Sequence, residues 1–208
     1  MNDKKYFIIS LTWVDWLTLL SFLFASLGLT SALHQKLTLA IAFMLIAMFI
    51  DMLDGFLARR MNLESDFGRY LDSFCDTVIY LFLPMFILYQ FGMQDWLSLF
   101  AFFVFILCGF LRLSRFNIIG SVNENGTAYY IGLQVFWSQL LVVLAFPFWA
   151  WLKEDAQYPL LIIILVMSFF MIRDIKFPKP VYYIPQTIII ILVTLIYICL
   201  HFTGIDSP

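Results

Sequence analysis

Long apolar runs recur along the chain, separated by short segments that hold most of its charged residues. A helix needs about 20 residues to cross the ~30 Å hydrocarbon core of a bilayer, and most of the runs reach that length. Tyr158–Met171 is the shortest run, and whether it crosses fully is left open. The pattern predicts six to seven transmembrane helices, over the runs Trp16–Leu33, Leu37–Leu57, Phe67–Phe91, Trp96–Phe110, Tyr129–Leu152, Tyr158–Met171 and Tyr183–Leu200.

The order of these runs predicts a single all-α membrane domain over residues 1–208. No repeat, linker or low-complexity segment divides the chain. Met1–Lys5 carries two lysines, and the apolar stretch after it lacks a small-residue cleavage site, so we interpret it as retained. Tyr6–Asp15, ahead of the first run, is a candidate for an interfacial helix.

Composition supports the membrane class. The chain has 208 residues, of which 63% are hydrophobic and 12% charged, whereas soluble domains contain about 25% charged residues. The net charge of −2 argues against a nucleic-acid partner, which requires a basic surface. Cys75, Cys108 and Cys199 lie singly in or beside apolar runs, so neither a zinc site nor a disulfide framework is indicated.

The cations predict the orientation of the helices. If the N-terminus is cytoplasmic and seven spans alternate, ten cations lie inside and two outside, as the positive-inside rule requires. The two outside are Lys36 and Lys153. The ten inside are Lys4, Lys5, Arg59, Arg60, Arg69, Arg112, Arg115, Arg173, Lys176 and Lys179.

Four aspartates occur where membrane helices rarely carry charge. Asp51 and Asp54 are three residues apart near the end of the second run, and Asp72 and Asp76 are four apart near the start of the third. Each pair therefore shares a helix face. Because Arg60–Asp66 is a short polar turn, the two helices are expected to be antiparallel neighbours. The four carboxylates should then converge at the cytoplasmic interface, where such residues are usually functional.

Four carboxylates so close together need protons or cations to neutralise them. Oxygen ligands without His or Cys favour Mg²⁺ or Mn²⁺, and four are enough for two ions about 3.5–4 Å apart, an arrangement that clamps phosphoryl groups. Gly55 and Gly68 remove side chains where a bulky ligand approaches the backbone, and Arg59 suits phosphate. The same carboxylates could instead belong to a small ion- or proton-coupled transporter, which is the alternative to a metal site that binds phosphoryl groups.

The spacing of these residues resembles the signature of the CDP-alcohol phosphotransferase family. The match reads Asp51-Met-Leu-Asp54-Gly55-Phe-Leu-Ala58-Arg59, eight residues, Gly68, three residues, Asp72, three residues and Asp76. The resemblance implies a membrane enzyme of phospholipid synthesis that transfers a phosphatidyl group from CDP-diacylglycerol to a small alcohol and releases CMP. It also implies a homodimer, and we expect a prokaryotic cell membrane with the site facing the cytoplasm.

The resemblance also implies a role for each matching residue. Asp51, Asp54 and Asp72 would hold metal, and Asp76 would act as general base with a share in metal binding. The cytidine and pyrophosphate of the CDP-lipid would bind near the remaining signature positions, which are Gly55, Ala58, Arg59 and Gly68.

Two segments point to the acceptor alcohol. Leu71–Thr77 and Leu111–Asn117 resemble the phosphatidylserine synthases, the second through its Arg-x-x-Arg-Phe-Asn pattern. Arg112, Arg115 and Asn117 are therefore candidates for binding the acceptor, because a serine carboxylate suits an arginine fork. The two arginines also fit the role of cytoplasmic anchors that snorkel to the interface.

Other segments resemble the bacterial phosphatidylcholine synthases. These are Ile79–Pro84, Leu88–Gln90 and Gly132–Trp137. Choline would require an aromatic cage. Serine is the favoured acceptor and choline the alternative, for which the candidate cage residues are Tyr80, Tyr129, Tyr130 and Trp137.

Overall fold

The structure is a computed structural model that describes residues 11–120, 122–124, 127–152, 156–178 and 183–204. Lys4, Lys5, Lys153 and Lys179, four of the cations used to predict the topology, lie outside these ranges. The elements in chain order are α1 (Trp13–Leu33), α2 (Leu37–Met61), α3 (Asp66–Asp76), a π-helical turn (Thr77–Phe82), α4 (Leu83–Gln90), α5 (Trp96–Ile119), β1 (Val122–Glu124), β2 (Thr127–Ile131), α6 (Trp137–Leu152), α7 (Gln157–Ile172), β3 (Lys176–Pro178) and α8 (Tyr183–Phe202).

The helices confirm an all-α integral membrane protein. In the described ranges, 5 helices are long and apolar enough to span a bilayer: α1, α2, the continuous segment Asp66–Gln90, α5 and Pro185–Phe202 within α8. The helices α6 and α7 have 16 residues each. At 1.5 Å per residue they extend about 24 Å, less than the full hydrocarbon thickness.

The predicted span Tyr129–Leu152 is wrong as a single helix. Its first residues belong to β2, and α6 begins only at Trp137. Gly132 between them has φ +79°, and a Cβ there would lie 2.4 Å from the carbonyl oxygen of Met171. Only glycine fits this turn, and a hydropathy run carries no information about such a backbone contact.

A small antiparallel sheet of order β1-β2-β3 joins distant parts of the chain. Its central strand pairs Tyr129 with Pro178 and Ile131 with Lys176. The strands follow α5 and α7 and precede α6 and α8, so they lie at one end of the bundle, called here the strand end.

The first helix begins earlier than the apolar run predicted. Thr12 and Asp15 form a capping box, and α1 starts at Trp13 rather than at Trp16. The described part of the Tyr6–Asp15 segment is therefore the start of a spanning helix, and residues 6–10 lie outside the described ranges. Asp15, an apparent interfacial residue in the sequence, is buried in this cap.

Small residues let α1 and α2 pack closely. Ala25, Ala32 and Ala40 are fully buried, and a Cβ on Gly28 would lie 3.3 Å from the carbonyl oxygen of Ala40. In lipid no hydrophobic effect drives helices together. Their association therefore depends on close packing of this kind. This contact fixes α2, which carries Asp51, against the start of the chain.

Candidate active site

Three of the predicted aspartates meet near the strand end. One carboxylate oxygen from each of Asp51, Asp72 and Asp76 lies within 4.8 Å of the other two. Asp72 and Asp76 share a face of α3, and the turn after α2 is closed by Asn62 in the left-handed region (φ 55°). The antiparallel return of the chain thus brings Asp51 to the same point. These three residues are called the acidic trio below.

Asp54 lies beside the acidic trio rather than within it. It is on the next turn of α2, with only 2% of its surface exposed. Its carboxylate is close enough to interact electrostatically with Asp72 and with Arg59. The sequence predicted that four carboxylates converge. In the structure three of them have close oxygens, and Asp54 lies beside these three, near Arg59.

The carboxylates near the trio lack enough protein donors. Within the described ranges, Oδ1 of Asp51, Oδ1 of Asp76 and Oδ2 of Asp54 are buried and have no hydrogen-bond partner. Oδ2 of Asp51 accepts a hydrogen bond of 2.8 Å from the hydroxyl of Tyr80. Buried acceptor oxygens without protein donors are available to bind a cation, and an all-oxygen ligand set suits a hard divalent cation. The residues present thus fit the divalent metal that the sequence predicted.

The signature residues on α2 lie on the last turns of the helix. Arg59 folds back over Gly55, where a Cβ would lie 3.4 Å from its Nη1. Its exposed guanidinium is near Asp54, Asp72 and Tyr130. Ala58 precedes it and is half-buried. This end of α2 therefore offers a cation beside the carboxylates with little side-chain bulk around it.

Gly68 lies in the first turn of α3, where α1 comes close. Its N–H donates to Oγ of Ser65, the N-cap, at 2.9 Å. A Cβ on Gly68 would lie 3.0 Å from both Oγ of Ser65 and Oδ1 of Asp15. Any side chain at this position would press on these two oxygens, which would have to shift. Asp15 therefore lies beside Gly68 of the signature. The sequence alone did not indicate this contact.

Arg112 on α5 is directed towards the acidic trio. It is 9% exposed, its Nε has no hydrogen-bond partner in the described part of the chain, and its charge acts on Asp76. Its guanidinium carbon lies 5.4 Å from the centroid of the Phe116 ring. Together with Arg115, Phe116 and Ile131 it lines a small pocket. A buried arginine with an unused donor is suited to an anionic ligand.

The other two acceptor candidates have different surroundings. Nη2 of Arg115 lies 3.9 Å from Oδ1 of Asp174, which follows α7. Oδ1 of Asn117 accepts a hydrogen bond of 2.9 Å from Oγ of Ser73, which is adjacent to Asp72. Asn117 therefore connects α5 to α3, whereas Arg115 forms an ion pair with Asp174, a carboxylate outside the trio.

Three of the four aromatic residues considered for choline have contacts of their own. Tyr80 is bonded to Asp51, and Trp137 donates from Nε1 to Oε1 of Gln134 at 3.2 Å. The ring of Tyr130 packs on Phe116 with centroids 5.9 Å apart. Burial raises the pKa of the Tyr130 hydroxyl. Each of these three residues therefore has a partner outside the set proposed for choline.

Sequence reasoning missed two residues of α6 that reach the same region. Oγ of Ser138 donates to the carbonyl of Tyr80 at 2.6 Å, and Nε2 of Gln139 donates to the carbonyl of Ile79 at 3.1 Å. No motif marked them. Pro84 was the available signal, because a proline in a helix leaves an earlier carbonyl without its donor.

Comparison with known proteins agrees with this arrangement. The family model for CDP-alcohol phosphatidyltransferase matches residues 11–205. The chain is 31% identical over 167 residues to the CDP-diacylglycerol–serine O-phosphatidyltransferase of Bacillus subtilis (strain 168), covering 78% of this chain and 87% of the relative. It is 34% identical over 161 residues to the enzyme of the same name from Methanocaldococcus jannaschii, covering 77% and 71%. The archaetidylserine synthase of Methanothermobacter thermautotrophicus is 34% identical over 61% of this chain and 55% of its own length.

The apolar bundle, its acidic trio and the matching family model together indicate a transferase of the membrane. The chain belongs to the CDP-alcohol phosphatidyltransferase family. It is an enzyme of phospholipid synthesis that transfers a phosphatidyl group from CDP-diacylglycerol to an alcohol. The family assignment removes the transporter alternative.

Proposed function

We propose that the acceptor alcohol is L-serine, so that the products are phosphatidylserine and CMP. The observation that carries this proposal is the buried guanidinium of Arg112, with an unused Nε donor beside Asp76. Serine brings a carboxylate, whereas choline brings a cation that this arginine would repel. The names of the relatives from B. subtilis and M. jannaschii specify serine, which agrees with the choice.

The metal is proposed to be Mg²⁺ or Mn²⁺, most simply as two ions. The acidic trio would bind the first ion. Asp54, together with oxygens of the trio, would bind the second ion. When bound, the metal neutralises the diphosphate and stabilises the charge that develops on CMP as it leaves.

The CDP-lipid is proposed to bind across the ends of α2 and α3. Arg59 would pair with the diphosphate, and the small residues Gly55 and Ala58 leave room for it beside the helix. Gly68 would let the nucleotide approach the backbone of α3. The site would lie at the membrane surface, so that the lipid tails remain in the membrane.

The reaction is proposed to follow one displacement. Asp76 accepts the proton from the serine hydroxyl, and the hydroxyl oxygen forms a bond to the lipid-side phosphorus. The bond between that phosphorus and the oxygen that bridges to CMP breaks, and CMP departs with the electron pair. Arg112 orients serine through its carboxylate. Arg115 adds positive charge nearby, and Asn117 holds α5 against α3 through Ser73 and can contact the acceptor.

The setting of the enzyme is part of the proposal. Residues 1–208 are taken as one domain in a prokaryotic cell membrane, with the strand end facing the cytoplasm. This orientation agrees with Arg59, Arg112 and Arg173 near that end and with the positive-inside rule. A homodimer is expected from the family resemblance.

The decisive experiment is a substrate panel. Purified enzyme receives CDP-diacylglycerol, Mg²⁺ or Mn²⁺, and labelled serine, choline, glycerol 3-phosphate or inositol, and both CMP and lipid products are measured. We expect label from serine alone to enter lipid, with one CMP per phosphatidylserine. Incorporation of choline but not serine would overturn the acceptor and leave the metal-assisted displacement standing.

A further inference from the structure

The helix that carries Asp72 and Asp76 changes its geometry directly after Asp76. Thr77–Phe82 is a π-helical turn, and its Leu83 N–H donates to the carbonyl of Val78, five residues earlier. Pro84 is next and has no N–H, so it cannot donate to Ile79 in this register or to Tyr80 in the α register. π turns are rare in proteins, and those that occur are often found at functional sites.

Helix α6 supplies the donors that Pro84 lacks. Gln139 donates to the Ile79 carbonyl and Ser138 to the Tyr80 carbonyl, at 3.1 and 2.6 Å. Both side chains are fully buried. In a membrane, freed backbone carbonyls need a protein partner, and side chains of neighbouring helices provide one. The π turn is therefore held by two residues about 60 positions later in the chain.

The held turn points a tyrosine at the acidic trio. Tyr80 is 5% exposed, and its hydroxyl donates to Oδ2 of Asp51 at 2.8 Å. This bond occupies one oxygen of Asp51 and fixes the rotation of the carboxylate. The other oxygen, Oδ1, is buried and has no partner within the described ranges.

We propose that Tyr80 is a positioning residue that orients Asp51 for cation binding, and that Ser138 and Gln139 act through it by fixing the π turn. This inference rests on the proposed function, because it requires a cation at the trio. Hydrogen bonds that orient a metal ligand typically matter by about 10- to 100-fold in metal affinity. None of the three residues belongs to the aspartate signature.

The test measures Mn²⁺ binding to the purified full-length protein in detergent, without substrate, by electron paramagnetic resonance of free Mn²⁺. Tyr80→Phe removes only the hydroxyl, and we expect the dissociation constant to rise about 10- to 100-fold. Tyr197→Phe is the matched control, because its buried hydroxyl donates to the Val143 carbonyl at 2.7 Å, away from the trio. It should lower the melting temperature and leave Mn²⁺ affinity unchanged.

A second pair keeps the test decisive if Tyr80→Phe does not fold. Ser138→Ala should weaken Mn²⁺ binding in the same direction, by less. Its control is Ser168→Ala, since Ser168 is equally buried and donates to the Ile164 carbonyl within α7. Wild-type affinity in both Tyr80→Phe and Ser138→Ala, or equal losses in the controls, would overturn the positioning role. A wild-type protein that binds no Mn²⁺ would instead overturn the metal in the proposed function.

Discussion

The two ends of the bundle use aspartate in opposite ways. At the end away from the strands, Asp95 caps α5 by accepting from the Leu97 N–H at 3.2 Å, and it also accepts from Ser98 and Gln157. These bonds, above all that of Ser98, hold the pKa of Asp95 below its ordinary value. At the strand end, the trio has buried oxygens without donors among the described residues.

The difference separates structural carboxylates from ligands. An aspartate whose oxygens are all engaged by protein donors has nothing left to bind, so it stabilises a helix end. Several close carboxylates with few donors cannot all remain ionised unless protons or cations neutralise them. The two ends therefore differ in the number of carboxylate oxygens that protein donors engage, and each prediction below tests that difference.

The largest expected effect is on catalysis. Asp76→Asn should keep the fold and remove nearly all CMP release, because the amide cannot accept the serine proton. CMP release from CDP-diacylglycerol and serine is the measurement, and Asp95→Asn, which keeps an N-cap, is the matched control with near wild-type activity. An Asp76→Asn enzyme within tenfold of wild type would contradict the assignment of the base.

Metal removal should be comparably severe and reversible. EDTA should abolish activity and Mg²⁺ or Mn²⁺ should restore it, because the three close carboxylates of the trio are expected to bind a divalent cation. Added metal should also raise the melting temperature, since it binds the folded state. Asp95→Asn should show the same rise in melting temperature on adding metal. Loss of this rise in Asp95→Asn would contradict the separation between a structural aspartate and the metal-binding trio. Full turnover in EDTA would show that the trio is not a metal site.

A smaller effect is expected at the acceptor. Arg112→Ala should raise the KM for serine about 10- to 150-fold, since an arginine–carboxylate hydrogen bond contributes about 1.5–3 kcal/mol. Arg115→Ala should have less effect, because Arg115 lies beside Asp174. The KM for the CDP-lipid should change little in either variant. Steady-state kinetics with serine varied will check this, and equal losses for both substrates would indicate a structural role.

The smallest effect is expected at the opposite end. Asp95→Ala should lower the melting temperature by a few degrees without changing kcat, because it removes a cap and the contact to Gln157. The pKa of Asp95 is depressed in the folded state, so this contribution is present at neutral pH and is lost only in acid. Thermal unfolding of both proteins at several pH values measures it. A loss of activity as large as that of Asp76→Asn would remove the contrast between the ends.

The sequence by itself determined the membrane class and most of the acidic site. Repeated apolar runs of about 20 residues indicate membrane-spanning helices, and i, i+3 and i, i+4 spacing determines which aspartates share a helix face. The short polar turn after Arg60 was enough to bring those faces together. These features are local, so they could be predicted without knowing how the remaining helices pack.

Only the tertiary structure decided the rest. It separated Asp54 from the trio, divided the run Tyr129–Leu152 at Gly132, and brought Ser138 and Gln139 of α6 to the π turn. Each of these depends on contacts between residues distant in the chain. Periodicity and hydropathy describe only neighbours along the sequence, so they carry no record of which backbone carbonyl a distant side chain will reach.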